Sequence, residues 1–135
     1  MTTHVVTKTV QILASQGDVF AFVSNVATMP QWAIHNVISV KTRADGSWEM
    51  QTPRGQGRLV PHYDERYGIL DHEFIDAGEG HWSVPARVVS VGANEAVYII
   101  TLAQPPGLPD EAFTQGMLLM DEELRALKEC VEGKR

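Results

Sequence analysis

From Asp110 to Val131 the chain carries Phe113, Met117, Met120, Leu124, Leu127 and Val131 at alternating steps of four and three. That spacing draws one apolar stripe down a long helix. Pro109 suits the first helical turn, and Asp110 and Glu111 complement the positive end of the helix dipole. At about 1.5 Å per residue the helix runs roughly 33 Å, enough to cross a whole sheet. The stripe has to be covered, and most of the chain before it reads as strands and turns. A sheet must therefore wrap around this helix.

The rest of the chain supplies that sheet. VVTKTVQIL (Val5 to Leu13) is rich in β-branched residues and predicts a first strand. Gly17-Asp18 then opens a short helix with Val19, Phe20 and Val23 on one face, and a second helical turn follows from Thr28 to Trp32. Val37 to Arg43 leads through Asp45-Gly46 into Trp48 to Thr52, a hairpin signal. Pro53-Arg54-Gly55 turns the chain into Gly57 to Glu65, and Tyr67 to Ile75 follows. A strand from His81 to Val91 and another from Ala96 to Leu102 complete an antiparallel meander. The expected fold is α+β: about seven strands around a long C-terminal helix, with two short helices after the first strand.

The composition narrows the partners. With 135 residues the chain fits one domain, residues 1–135. A net charge of −6 and scattered Lys and Arg argue against nucleic acid or an anionic membrane surface. One cysteine, Cys130, excludes an internal disulfide and a CxxC pair. The N-terminus lacks signal-peptide organisation, and no apolar run approaches a membrane span, so a cytoplasmic protein without membrane insertion is expected.

Strand alternation sorts the ionisable residues of YGILDHEFI (Tyr67 to Ile75). Leu70, His72 and Phe74 share one face; Ile69, Asp71 and Glu73 share the other. A symmetric loop around Gly78 sets Phe74 opposite Trp82 and His72 opposite Val84, and the face continues through Ala86 and Val88. The inner face is then apolar apart from one imidazole. The outer face collects Asp71, Glu73, Ser83 and Arg87, with a diagonal Asp71–Arg87 pair. Earlier in the chain, a bulge at Gly46 puts Ile38 and Val40 beside Trp48 and Met50, with Leu59 and Tyr63 following. For the last strand, a three-residue turn selects Tyr98, Ile100 and Leu102 for the interior, and a two-residue turn selects Val97, Ile99 and Thr101. A slip of one residue inverts a face, and Pro85 marks an edge or a bulge.

The chain resembles the START-like (SRPBCC) superfamily, whose helix-grip fold wraps a curved antiparallel sheet around a C-terminal helix. The resemblance rests on VFAFVSNVATMPQWA (Val19 to Ala33), WEMQTPRGQGR (Trp48 to Arg58), YGILDHEF, VPARVVSVG (Val84 to Gly92) and DEELRALKECVEG (Asp121 to Gly133). The subgroup it most resembles is the uncharacterised polyketide cyclase-like proteins. The resemblance implies an apolar ligand held between sheet and helix. Some members are cyclases, dehydratases or hydrolases; others only carry lipids, quinones or hormones. Ala86 and Ser90 stand where that subgroup is expected to have Met and Asn, which implies a cavity of different shape.

Within that frame the candidate lining is Trp32, Trp48, Tyr63, His72, Phe74, Trp82, Tyr98, Met117 and Met120, aromatic and adaptable side chains suited to a flat or lipid-like molecule. Plain core filling explains the same residues. His72 is the candidate general acid–base, since burial tunes an imidazole that titrates near neutrality. The competing reading is a core histidine bonded to a backbone carbonyl, Tyr63 or Tyr98. Arg87 joins the site if a bulge at Pro85 swings it inward to anchor a carboxylate or enolate oxygen. The histidines show no HxH, HxxxH or HExxH spacing, so no metal is expected, and no cofactor. Cys130 lies near a helix C-terminus, where the dipole disfavours a thiolate. RGQG (Arg54 to Gly57) precedes a strand rather than a helix and reads as a hairpin turn. The leading expectation is a carrier or sensor of a small hydrophobic molecule. The alternatives are a cofactor-independent cyclase, dehydratase or isomerase using His72 with Tyr63 or Tyr98, and a module that forms a homodimer through Val89, Val97 and Ile99 on the outer sheet face.

Overall fold

The computed structural model describes residues 4–78 and 80–134. β1 (Val5–Ile12) leads into α1 (Gln16–Ser24), a 3-10 turn and α2 (Met29–Trp32). β2 (Ser39–Thr42), β3 (Trp48–Thr52), β4 (Gly55–Asp64), β5 (Ile69–Asp76), β6 (His81–Val84), β7 (Ala86–Gly92) and β8 (Glu95–Ala103) follow, and α3 (Asp110–Val131) closes the chain. The antiparallel sheet runs β1-β8-β7-β5-β4-β3-β2, with β6 also on β5. It curves around α3 in the expected helix-grip arrangement.

Each element has a local cause. Ser15 caps α1 by accepting the Asp18 N–H at 3.1 Å, and Val19, Phe20 and Val23 are its buried face. The strand predicted from His81 to Val91 is one line broken at Pro85 into β6 and β7, which raises the strand count to eight. Proline has no N–H to give the ladder, yet the register survives: His72 pairs with Val84 and Ile69 with Arg87. Inward parity therefore passes through Trp82, Val84, Ala86 and Val88, as the alternation predicts. The Ala86 N–H released at this break donates to Asp71 Oδ1 at 2.9 Å. Asp71 thus serves the backbone of β7 and not the predicted diagonal pair with Arg87.

At the β7–β8 turn the two alternatives resolve through a bulge. Gly92 faces Glu95 across a two-residue turn, but the register shifts between Ser90 and Gly92, so Val88 meets Tyr98. Tyr98 and Ile100 point inward and are buried. One inward assignment is corrected: Ile38 is 59% exposed, because the ladder of β2 begins at Ser39 and the preceding turn buries Val37 instead.

The core lies on the inner face of the sheet and runs from Ile12, Ala96, Tyr98 and Val88 through Val84, Leu70 and Leu59 to Met50. Leu124, Ala126 and Leu127 of α3 meet Ile12, Val88, Ala96 and Tyr98 in one apolar cluster that also takes in α1 and α2. Each fully buried aliphatic side chain contributes about 1.5–3 kcal/mol. Polar ties hold the helix to β1: Lys8 Nζ meets Asp121 at 2.7 Å, Lys128 Nζ donates to Gln11 O at 3.1 Å, and Leu13 N–H donates to Glu132 at 2.8 Å. α3 packs on β1, α2 and α1. On β3 to β6 the inward side chains divide: Met50, Leu59, Leu70 and Val84 are buried, and Trp48, Tyr63, Phe74 and Trp82 stay half-buried.

Candidate functional site

The open part of the concave face is built by register. Trp48 pairs with Leu59, Leu59 with Phe74, and Phe74 with Trp82, so four apolar side chains cross β3 to β6 in one row. The Phe74 and Trp82 rings sit 5.0 Å apart at 44°. Gly57 lets the Phe74 ring lie flat on β4: a Cβ there would stand 2.6 Å from Phe74 Cζ. At the rim of this row lies a hollow of about 160 Å³, lined by Thr52, Arg54, Gly55, Gln56, Phe74, Asp76, Ala77, Gly78 and Trp82. Pockets that enclose drug-sized ligands measure roughly 300–1,000 Å³. The hollow is smaller than such a pocket, and behind it lies the row in which Leu59 is buried and the aromatic rings are half-buried.

Its polar margin comes from two hairpin turns. In the β3–β4 turn, Thr52 Oγ1 donates to Gly55 O at 2.7 Å and accepts the Arg54 N–H at 3.2 Å. Gly55 has φ +122°, which side-chain-bearing residues rarely adopt. In the β5–β6 turn, Asp76 Oδ1 accepts the N–H groups of Gly78 at 2.9 Å and Gly80 at 2.7 Å.

His72 lies one step deeper, between Pro61 and Val84 in the register. Its Nδ1 is 3.4 Å from Leu70 O. A proton on Nδ1 would serve that carbonyl and leave Nε2 as an acceptor. Burial pushes the His72 pKa down, so the ring is neutral near neutrality. Tyr63, on the same face, is pushed up to about 12 by burial and keeps its phenol proton.

The other predicted lining residues separate. Trp32 and Tyr98 are buried in the core, edge to face at 6.3 Å, and Met120 is buried with them. Met117 is half-buried on α3. Arg87 is exposed: Pro85 leaves the register unchanged, so Arg87 keeps its outward parity and the inward swing does not occur. Also on the outer face, Glu73 links His62 at 3.0 Å and His81 at 3.1 Å, and the His62 hydrogen bond foremost lowers its pKa. Among the described residues no group of three His, Cys, Asp or Glu side chains is arranged to hold a metal ion.

Sequence reasoning missed Arg54, Asp76 and Glu123. Glu123 is only 1% exposed, and its carboxylate accepts the His35 N–H at 2.9 Å and Asn36 Nδ2 at 3.0 Å. Burial, the largest effect, raises its pKa against those hydrogen bonds. Glu123 falls between the apolar positions of the helix stripe, and only the docking of the loop after α2 buries it. Asp76 carried a readable signal, since an aspartate two residues before a glycine caps its own turn.

No protein-family model and no curated protein sequence matches the chain. Solved structures do. An uncharacterised protein from Bacillus thuringiensis superposes with a TM-score of 0.76 at 15% identity, covering 95% of this chain and 98% of its own. A START superfamily protein from Mycobacterium smegmatis gives 0.70 at 14%, covering 98% and 99%. The Zhui aromatase/cyclase from Streptomyces sp. R1128 gives 0.72 at 15%, covering 98% and 93%. Along nearly its whole length, then, the chain has the helix-grip fold of the START superfamily.

Proposed function

We propose that this protein binds a small hydrophobic molecule on the concave face of β3 to β6, as a cytoplasmic carrier or sensor. The observation that carries the reading is the Phe74–Trp82 ring pair, which lines the rim hollow while remaining half-buried. Two aromatic rings left partly in water on a concave wall gain about 25 cal/mol for each Å² of apolar surface that a ligand covers. Native mass spectrometry of the purified protein is expected to show a co-purifying apolar molecule, or uptake of a fluorescent lipid probe. Phe74→Ala is expected to weaken that uptake several-fold. Absence of any bound molecule together with no probe uptake would sink the reading.

A second reading, a cofactor-independent cyclase, dehydratase or isomerase, draws on the neutral, half-buried imidazole of His72 on the same wall. A neutral ring is a competent proton acceptor at neutral pH. Under that reading His72→Leu abolishes turnover of a polyketide-like substrate while circular dichroism shows the fold intact. Unchanged turnover would remove His72 from the chemistry. Binding stands first because it draws on an aromatic pair that lines a hollow, whereas the enzyme reading draws on a single imidazole.

A further inference from the structure

We infer that the rim hollow selects a carboxylate-bearing ligand, its apolar part on Phe74 and Trp82 and its carboxylate on Arg54. The inference rests on the ligand-binding reading above and names the ligand class.

Two residues with charged side chains line the hollow, Arg54 and Asp76. Asp76 gives one oxygen, Oδ1, to the Gly78 and Gly80 N–H groups of its own turn. Arg54 is differently placed. Among the described residues no carboxylate lies within 4.0 Å of its guanidinium, which makes one hydrogen bond, to the neutral Asn36 Oδ1 at 3.3 Å. A guanidinium carries five N–H donors in a planar fork, so a pair remains for the two oxygens of a carboxylate. The chain's net charge of −6 repels anions at long range. A preference for an anionic ligand therefore has to come from a local cation, and Arg54 is the one that lines the hollow.

The geometry is also prepared in advance. Thr52 and Gly55 fix the turn from which Arg54 projects. Asn36, which receives the guanidinium, is itself held by Glu123 Oε1 at 3.0 Å. A buried carboxylate on α3 thus holds Asn36 in the loop after α2, and Asn36 in turn holds the guanidinium of Arg54. Ordering the recognition group before binding lowers the entropy a ligand must overcome.

The test uses two probes of the same ring system, 2-naphthoate and 2-naphthylmethanol, titrated calorimetrically into the wild type, Arg54→Gln and Arg54→Lys. Arg54 is exposed on a turn, so both variants are expected to fold, which circular dichroism checks. The wild type is expected to bind the carboxylate roughly tenfold more tightly than the alcohol, the scale of one charge-assisted hydrogen-bond pair. Arg54→Gln should lower that ratio to about one, and Arg54→Lys, which keeps the charge without the fork, should retain part of it. Equal wild-type affinities, or a ratio that Arg54→Gln leaves intact, overturn the carboxylate assignment while the apolar site stands. Failure of both probes to bind the wild type overturns the ligand site and this inference with it.

Discussion

Glu132 shows how much one side chain just past a helix end can do. Its carboxylate receives the Leu13 N–H from the end of β1 and the ammonium groups of Lys128 and Lys134. These contacts, the Leu13 hydrogen bond foremost, hold its pKa down at about 2, against an ordinary 4.5. A carboxylate depressed on folding contributes stability that is fully present above its unfolded pKa and is lost as pH falls through its folded one. Glu132→Gln should therefore unfold at lower urea than the wild type at neutral pH. The gap should close between pH 4.5 and about 2. A gap of constant size across that range would show that the charge is not its source. Neither Leu13 nor Glu132 stands out in the sequence: they are 119 positions apart, and nothing local pairs them.

At the scale of elements, the β6–β7 break carries the most information. Pro85 interrupts the ladder, yet parity and register continue across it because Asp71 takes over the Ala86 N–H. Ala86 is buried, so Asp71→Ala leaves a donor without its partner, a loss of about 1–3 kcal/mol. Asp71→Asn retains an acceptor oxygen and should lose markedly less. Chemical denaturation of the two variants decides the matter, and equal losses would remove the capping role. The strand alternation placed Asp71 on the outer side of β5 correctly, but its partner depended on how a neighbouring strand was broken. The same limit applies to Arg87, whose predicted inward swing needed a register change at Pro85. No such change occurs.

For the molecule as a whole, the division of the concave face matters most. α3 packs on β1, α1 and α2, and its Leu124, Ala126 and Leu127 join the buried cluster in which Trp32 and Tyr98 are packing residues. Over β3 to β6 the half-buried side chains are Trp48, Tyr63, Phe74 and Trp82, and the last two line the rim hollow. A continuous buried cluster beside a few half-buried aromatic rings lets the fold be stable and still leave apolar surface at the rim. α3 and the rim are joined through the Glu123–Asn36–Arg54 chain of hydrogen bonds.

The period of the closing helix and the alternation of the strands were readable directly, because each is a rule about neighbours along the chain. They led to the helix-grip architecture, to the Phe74–Trp82 and His72–Val84 pairings, and to an imidazole on the inner face. The position of the hollow, the burial of Glu123 and the separation of Trp32 and Tyr98 from the rim came from packing. Each depends on groups distant in sequence meeting in space, and on which half of a curved sheet the helix lies against. Neither periodicity nor alternation encodes that choice; the summed burial of the whole chain makes it.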